Sequence, residues 1–132
     1  MKKHISKLFA RVVLSREQKY YDAPHDAQRD VLSRLLKKGR KTLYGRERGI
    51  DEIRDYETFR SRMPVVVYDD LRGYIERIAG GEKDVLYPGR PEYFAKTSGT
   101  TSGSKYIPLT SEGLSHQIKS TRNMLLRYIL KT

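Results

Sequence analysis

The chain has 132 residues, 37% apolar and 33% charged, with no cysteine, three histidines and a formal charge of +11. That length suits one small domain and is short for an enzyme that must hold two substrates. The apolar share excludes a disordered chain. Without thiols, and with His4, His25 and His116 scattered, disulfides and a zinc centre are excluded as well. The charge is uneven: residues 1–50 hold 14 Lys/Arg against 5 Asp/Glu, a net of +9, and residues 51–132 hold 13 against 11. Such an excess draws phosphates of nucleic acid, nucleotide or membrane surface. The interleaving of aromatic and basic residues that makes a nucleic-acid platform is missing, so a solvated helix face is the plainer account and no nucleic-acid partner is expected.

Ile5, Leu8, Phe9, Val12 and Val13 recur at the spacing of one helix face, with Lys7, Arg11 and Arg16 elsewhere around it. This predicts an amphipathic helix packed on the protein body; an anionic membrane surface is the other use of such a stripe. Arg11 breaks the apolar stretch, no small-residue cleavage site follows, and nothing approaches the roughly 20 apolar residues of a membrane span. A cytoplasmic protein is expected. Pro24 opens a second helix with the stripe Ala27, Val31, Leu32, Leu35 and Leu36, which collects Lys37, Lys38 and Arg40 near its end and stops at Gly39. Asp55 caps a short helix with Phe59 and Met63 inward, closed by Pro64.

Val65-Val66-Val67 is β-prone, and Asp69-Asp70 heads a helix carrying Leu71, Tyr74, Ile75 and Ile78. Adjacent acids at a helix start serve as cap and dipole partners, so no chemistry is assigned to them. Val85-Leu86-Tyr87 and Tyr93-Phe94-Ala95 read as short strands around Pro88-Gly89. Strands among helices predict an α/β domain. A last helix, capped by Thr110 or Ser111, carries Leu114, Ile118, Thr121, Leu125, Tyr128 and Ile129 on one face. Its apolar stripe is still running near Thr132 with no stop signal, which predicts that the chain is truncated there.

The chemistry lies between Phe94 and Tyr106. Thr97, Ser98, Gly99, Thr100, Thr101, Ser102, Gly103 and Ser104 stand between Lys96 and Lys105. Glycines let backbone N–H groups turn toward an anion, hydroxyls donate further bonds, and lysine supplies counter-charge. A Gly/Ser/Thr linker has a similar composition, but the apolar, β-prone flanks pin this segment between strands. It is not the common P-loop, because Ser104 separates Gly103 from Lys105 and Tyr106 follows. A kinase or GTPase is therefore disfavoured.

The run Thr97 to Lys105 resembles the ATP-phosphate loop of the adenylate-forming superfamily, without the proline that commonly precedes the lysine in acyl-CoA synthetases. The surrounding residues are similar to the auxin-responsive acyl-acid amido synthetase family: Gln28, Leu32, Leu35 and Leu36; Thr42, Tyr44 and Gly45; Phe59, Arg62, Met63, Pro64 and Val65; Tyr68, Tyr74, Ile75, Arg77, Ile78, Gly81 and Glu82. The resemblance implies that the whole chain, residues 1–132, is the N-terminal portion of one large adenylation domain with no separate second domain. It implies an α/β fold, helix-rich, with short strands flanking the phosphate loop.

It further implies an enzyme that uses ATP and Mg²⁺ to convert a carboxylic acid to an acyl-AMP and passes the acyl group to an amine or amino acid. Thr97, Ser98, Gly99, Thr100, Thr101, Ser102, Gly103 and Lys105 are its phosphate-binding residues, and none is a nucleophile or general base. The adenine, ribose and acyl sites and a catalytic lysine fall in the remainder of the polypeptide beyond Thr132. The isolated chain is thus expected to bind ATP weakly, to catalyse nothing and to expose apolar helix faces. A basic module for nucleic acid or anionic membrane, and a naturally short non-catalytic remnant, are the competing readings.

Overall fold

The computed structural model describes residues 2–98 and 103–132, with side chains from residue 5 onward. The chain divides into two compact units, residues 29–111 and a second made of residues 1–28 with 112–132. The elements run α1 (Lys2–Ser15), α2 (Gln18–Asp22), α3 (Pro24–Gly39), α4 (Leu43–Glu47), a 3-10 turn (Ile50–Glu52), α5 (Tyr56–Arg62), α6 (Tyr68–Ala79), β1 (Tyr93–Thr97), β2 (Lys105–Leu109) and α7 (Ser111–Lys131). Helices dominate and the two strands form one antiparallel sheet, as expected of a helix-rich α/β domain. Among the described residues no helix is long and apolar enough to cross a membrane.

In residues 29–111 the core begins where α3 ends. Leu36, Ile50 and Ile53 are buried together, with Leu32, Phe59 and Met63 packed on them. Asp55 caps α5 as its sequence position predicts: its carboxylate accepts the Thr58 N–H at 2.8 Å while the Thr58 hydroxyl accepts the Asp55 N–H at 3.1 Å. This reciprocal box fixes the entry of α5 and therefore aims Phe59 and Met63 at the core. On α6, Ile75 and Ile78 are buried, and the Asp70 carboxylate accepts the Val67 N–H at 2.8 Å. Asp69 pairs with Arg72 at 2.5 Å. Both acids thus have the structural roles expected of them.

Two strand expectations fail. Residues 64–67 are irregular and Val65 is fully exposed, because Pro64 halts α5 and, among the described residues, no strand lies alongside to complete a ladder. Residues 85–87 are a bend, yet they are fixed. The Leu43 N–H donates to the Asp84 carbonyl at 2.7 Å and the Tyr44 N–H to the Val85 carbonyl at 3.0 Å. The carbonyls of residues 84 and 85 satisfy the free amides of the first turn of α4 instead of joining a sheet. Val85 is buried to 1% exposure beside them.

In the second unit Ala10, Asn123 and Leu126 are buried. Asn123 donates its amide to Glu17, and Arg127 donates to Glu17 and to the Tyr21 hydroxyl, both at 2.8 Å. The α1 helix is present, but its stripe is reversed from expectation. Ile5, Leu8, Phe9 and Val12 are exposed, since the small Ala10 side is the buried one. On α7 the buried residues likewise fall beside the predicted face, leaving Ile118, Leu125 and Tyr128 exposed. The exposed apolar helix faces anticipated from sequence are thus present.

Candidate functional site

The hydroxyl-rich segment sits at the turn of a β-hairpin. β1 pairs with β2 from Tyr93↔Leu109 to Thr97↔Lys105, so residues 98–104 connect the last pair. Paired strands thus flank the segment on both sides, as the β-prone flanks predict. Pro108 is tolerated in β2 because the N–H two residues earlier, on Tyr106, points away from β1. The proline's missing donor falls on that same outer edge.

That outward Tyr106 N–H meets a specific partner. It donates to the Tyr68 hydroxyl at 2.9 Å, and the hydroxyl faces the Tyr106 carbonyl at 3.4 Å. The first residue of α6 therefore fastens the hairpin in place. The Tyr68 ring carries two cations, the Lys105 ammonium 5.4 Å from its centroid and the Arg72 guanidinium at 5.4 Å. On the other face of the hairpin the Lys96 ammonium lies 5.9 Å from the Tyr106 centroid. Lysines thus stand beside both ends of the turn, positioned by aromatic faces instead of by carboxylates.

Of the residues expected to hold phosphate, Thr97 closes β1 and is half-buried, Ser98 is exposed, and Lys105 opens β2 half-buried. Gly103 is exposed with φ +76° and open space where a Cβ would stand. This left-handed geometry is the one a glycine supplies without strain. Gly99, Thr100, Thr101 and Ser102 lie outside the described residues. The described part brings backbone, hydroxyl and lysine donors to one exposed turn, a donor set that fits a polyphosphate.

The other residues of the family-like pattern shape the elements that precede the hairpin. Thr42 caps α4, accepting the Gly45 N–H at 3.0 Å and donating to the Gly39 carbonyl at 2.8 Å. A Cβ on Gly45 would stand 1.9 Å from that carbonyl, so only glycine permits α4 to sit against the end of α3. Tyr44 meets Tyr74 edge-on at 5.3 Å, and the Tyr74 hydroxyl donates to Glu47 at 2.5 Å. That bond, and to a lesser degree burial, raises the Tyr74 pKa above the usual phenol value. Arg62 pairs with Glu52 at 2.5 Å, and Arg77 grips both oxygens of Glu82 at 2.6 Å. The Arg77 contact holds the Glu82 carboxyl below its ordinary pKa. Tyr87 has its hydroxyl buried with no partner among the described residues, and burial pushes it up to about 12.

A family model described as the GH3 family N-terminal domain matches residues 13–131. The chain belongs to the GH3 family. Over 93 residues, 69% of this chain and 16% of the relative, it is 41% identical to the indole-3-acetic acid-amido synthetase GH3.15 of Arabidopsis thaliana. It is 33% identical over 100 residues, 72% of this chain and 17% of the relative, to the jasmonoyl-L-amino acid synthetase JAR6 of Nicotiana attenuata. The GH3.3 synthetase of Arabidopsis thaliana is 34% identical over 89 residues. The chain thus spans about one-sixth of the length of the curated GH3 relatives it matches. By their names these relatives make indole-3-acetic acid amides or a jasmonoyl-L-amino acid.

Tyr68 belongs to the family-like pattern, but nothing near it in sequence gives it this role. Its partner is 38 residues away, and no periodicity links the two. The only signal was a tyrosine at the head of a helix otherwise led by acids.

Proposed function

We propose that this GH3 chain is the N-terminal part of the large domain of a cytoplasmic, ATP-dependent acyl-acid amido synthetase, and that its hairpin turn holds the nucleotide's phosphates. The observation that carries the reading is the turn itself, with Gly103 in the left-handed region and Lys105 seated over Tyr68, in a chain whose relatives are amido synthetases. A carboxylate is a poor acyl donor, and adenylation gives it a good leaving group. Negative charge grows on the phosphates as pyrophosphate separates. Thr97, Ser98, Thr100, Thr101 and Ser102 would donate hydroxyls, Gly99 and Gly103 backbone amides, and Lys105 a counter-charge to that developing charge.

Bonds of this kind contribute about 1.5–3 kcal/mol each, so a few suffice for useful affinity. Among the described residues no group of three acidic, histidine or cysteine side chains gathers to hold a metal. Mg²⁺ bound with the nucleotide would neutralise part of that phosphate charge alongside the donors of the turn. The carboxylic acid and the amine or amino acid acceptor would be held by the remainder of a longer polypeptide.

Titration of the isotope-labelled chain with MgATP, followed by amide NMR, tests the reading. Shifts at Thr97, Ser98, Gly103 and Lys105, saturating only at high ligand concentration and weakened by Lys105→Ala, are expected. Shifts that leave residues 97–105 untouched would contradict it.

A further inference from the structure

The basic excess of the first 50 residues is not used by the hairpin. Within the unit of residues 1–28 and 112–132, a concavity of about 230 Å³ is walled by Arg16, Lys19, Tyr20, Lys119, Arg122 and Asn123. Four cations from two separate stretches of chain converge there. One carboxylate, Glu17, also reaches the wall, but its oxygens are taken by the Asn123 amide and by Arg127 at 2.8 Å. Asn123, only 4% exposed, anchors the wall and accepts from Arg122 at 3.1 and 3.2 Å. The Lys19 ammonium rests 5.1 Å from the Tyr20 ring centroid. Among the described residues Arg16 and Lys119 enter no ion pair.

Like charges brought together on a concave surface repel one another, and the field they focus favours an anion that neutralises several at once. A phosphate group matches this set. It offers up to two negative charges and several acceptor oxygens to the forked donors of Arg16 and Arg122 and to the point charges of Lys19 and Lys119. We propose that this cleft is a second phosphate-binding site, distinct from the hairpin turn and independent of the nucleotide reading. Its ligand is the phosphate group of a small phosphorylated metabolite or of a lipid headgroup.

The test is amide NMR of the 132-residue chain titrated with inorganic pyrophosphate, alongside co-sedimentation with vesicles of equimolar phosphatidylcholine and phosphatidylglycerol. Pyrophosphate is expected to shift residues 13–20 and 119–123, including the Asn123 side-chain amide. Affinity read at the cleft residues should fall at least about tenfold in Arg16→Gln with Lys119→Gln, and stay unchanged in Lys83→Gln, an exposed lysine that lines neither the cleft nor the turn. Both glutamine positions are at the surface, and an otherwise unaltered spectrum shows that the variant is folded. Vesicle binding lost in the double variant, without a pyrophosphate response, supports the site with a headgroup as its source. No shift in the cleft and no vesicle binding, or responses that persist in the double variant, overturn the proposal.

Discussion

Replacing Tyr68 with phenylalanine tests how the hairpin is held. The change removes one well-made hydrogen bond, from the Tyr106 N–H at 2.9 Å; the contact with the Tyr106 carbonyl, at 3.4 Å, is too long to count for much. A single bond of this kind is worth about 1 kcal/mol. The ring remains, and Lys105 and Arg72 keep their aromatic seat. Tyr68→Ala also removes these two cation–π contacts, about 0.5–1 kcal/mol each at exposed sites, for a total of about 2–3 kcal/mol. Native-state hydrogen exchange reads the effect directly. The Tyr106 amide should exchange about fivefold faster in Tyr68→Phe, while amides of the Leu36–Ile53 core keep their rates. A Tyr106 amide that exchanges at the parent rate would refute the fastening role.

Ile53 is 1% exposed at the centre of the core, so Ile53→Ala should lower the free energy of unfolding in urea by about 2–5 kcal/mol. In Gly45→Ala the new methyl meets the Gly39 carbonyl, and α4 must leave the end of α3; a large loss of thermal midpoint is expected, whereas Gly73→Ala, with open space around it, should be stable. Asp55 has its pKa lowered, chiefly by the Thr58 hydroxyl and then by the Thr58 N–H. Its folded value lies below its unfolded one, so the cap stabilises fully above the ordinary aspartate value of 3.8 and is lost as pH falls through the lower folded value. An acid titration of stability should therefore flatten in that window in Asp55→Asn. Gly103→Ala forces an L-residue to φ +76° at a cost of about 1–2 kcal/mol or a rearranged turn, and MgATP shifts at Ser98 and Lys105 should shrink.

Local rules carried much of the fold. Pro24 at a first turn, Asp55 as cap, the Asp70 cap and the Tyr93 and Tyr106 strands around the glycine-rich turn all follow from residues near in sequence. Where the reading failed, distant partners decided. Val85 looks like a strand residue, but its carbonyl is claimed by the Tyr44 amide some forty residues earlier, and among the described residues it pairs with no strand. The α1 stripe has helical spacing, yet burial went to Ala10, because which side of an amphipathic helix is covered depends on what packs against it. The hairpin around the glycine-rich segment was legible because its residues are contiguous. Its fastening through Tyr68 and the cationic cleft around Asn123 were not, since each joins residues that only the fold brings together.

The central claim is that the turn from Thr97 to Lys105 serves acid adenylation. Its most direct measurement is acid-dependent ATP–pyrophosphate exchange by a chimera in which residues 13–131 replace the matching segment of the Arabidopsis thaliana synthetase GH3.15. Exchange should persist in the chimera and fall about 100-fold or more when Ser98 and Thr101 are both changed to alanine, the loss expected on removing donors to developing charge. Exchange at an undiminished rate in that variant would contradict the account.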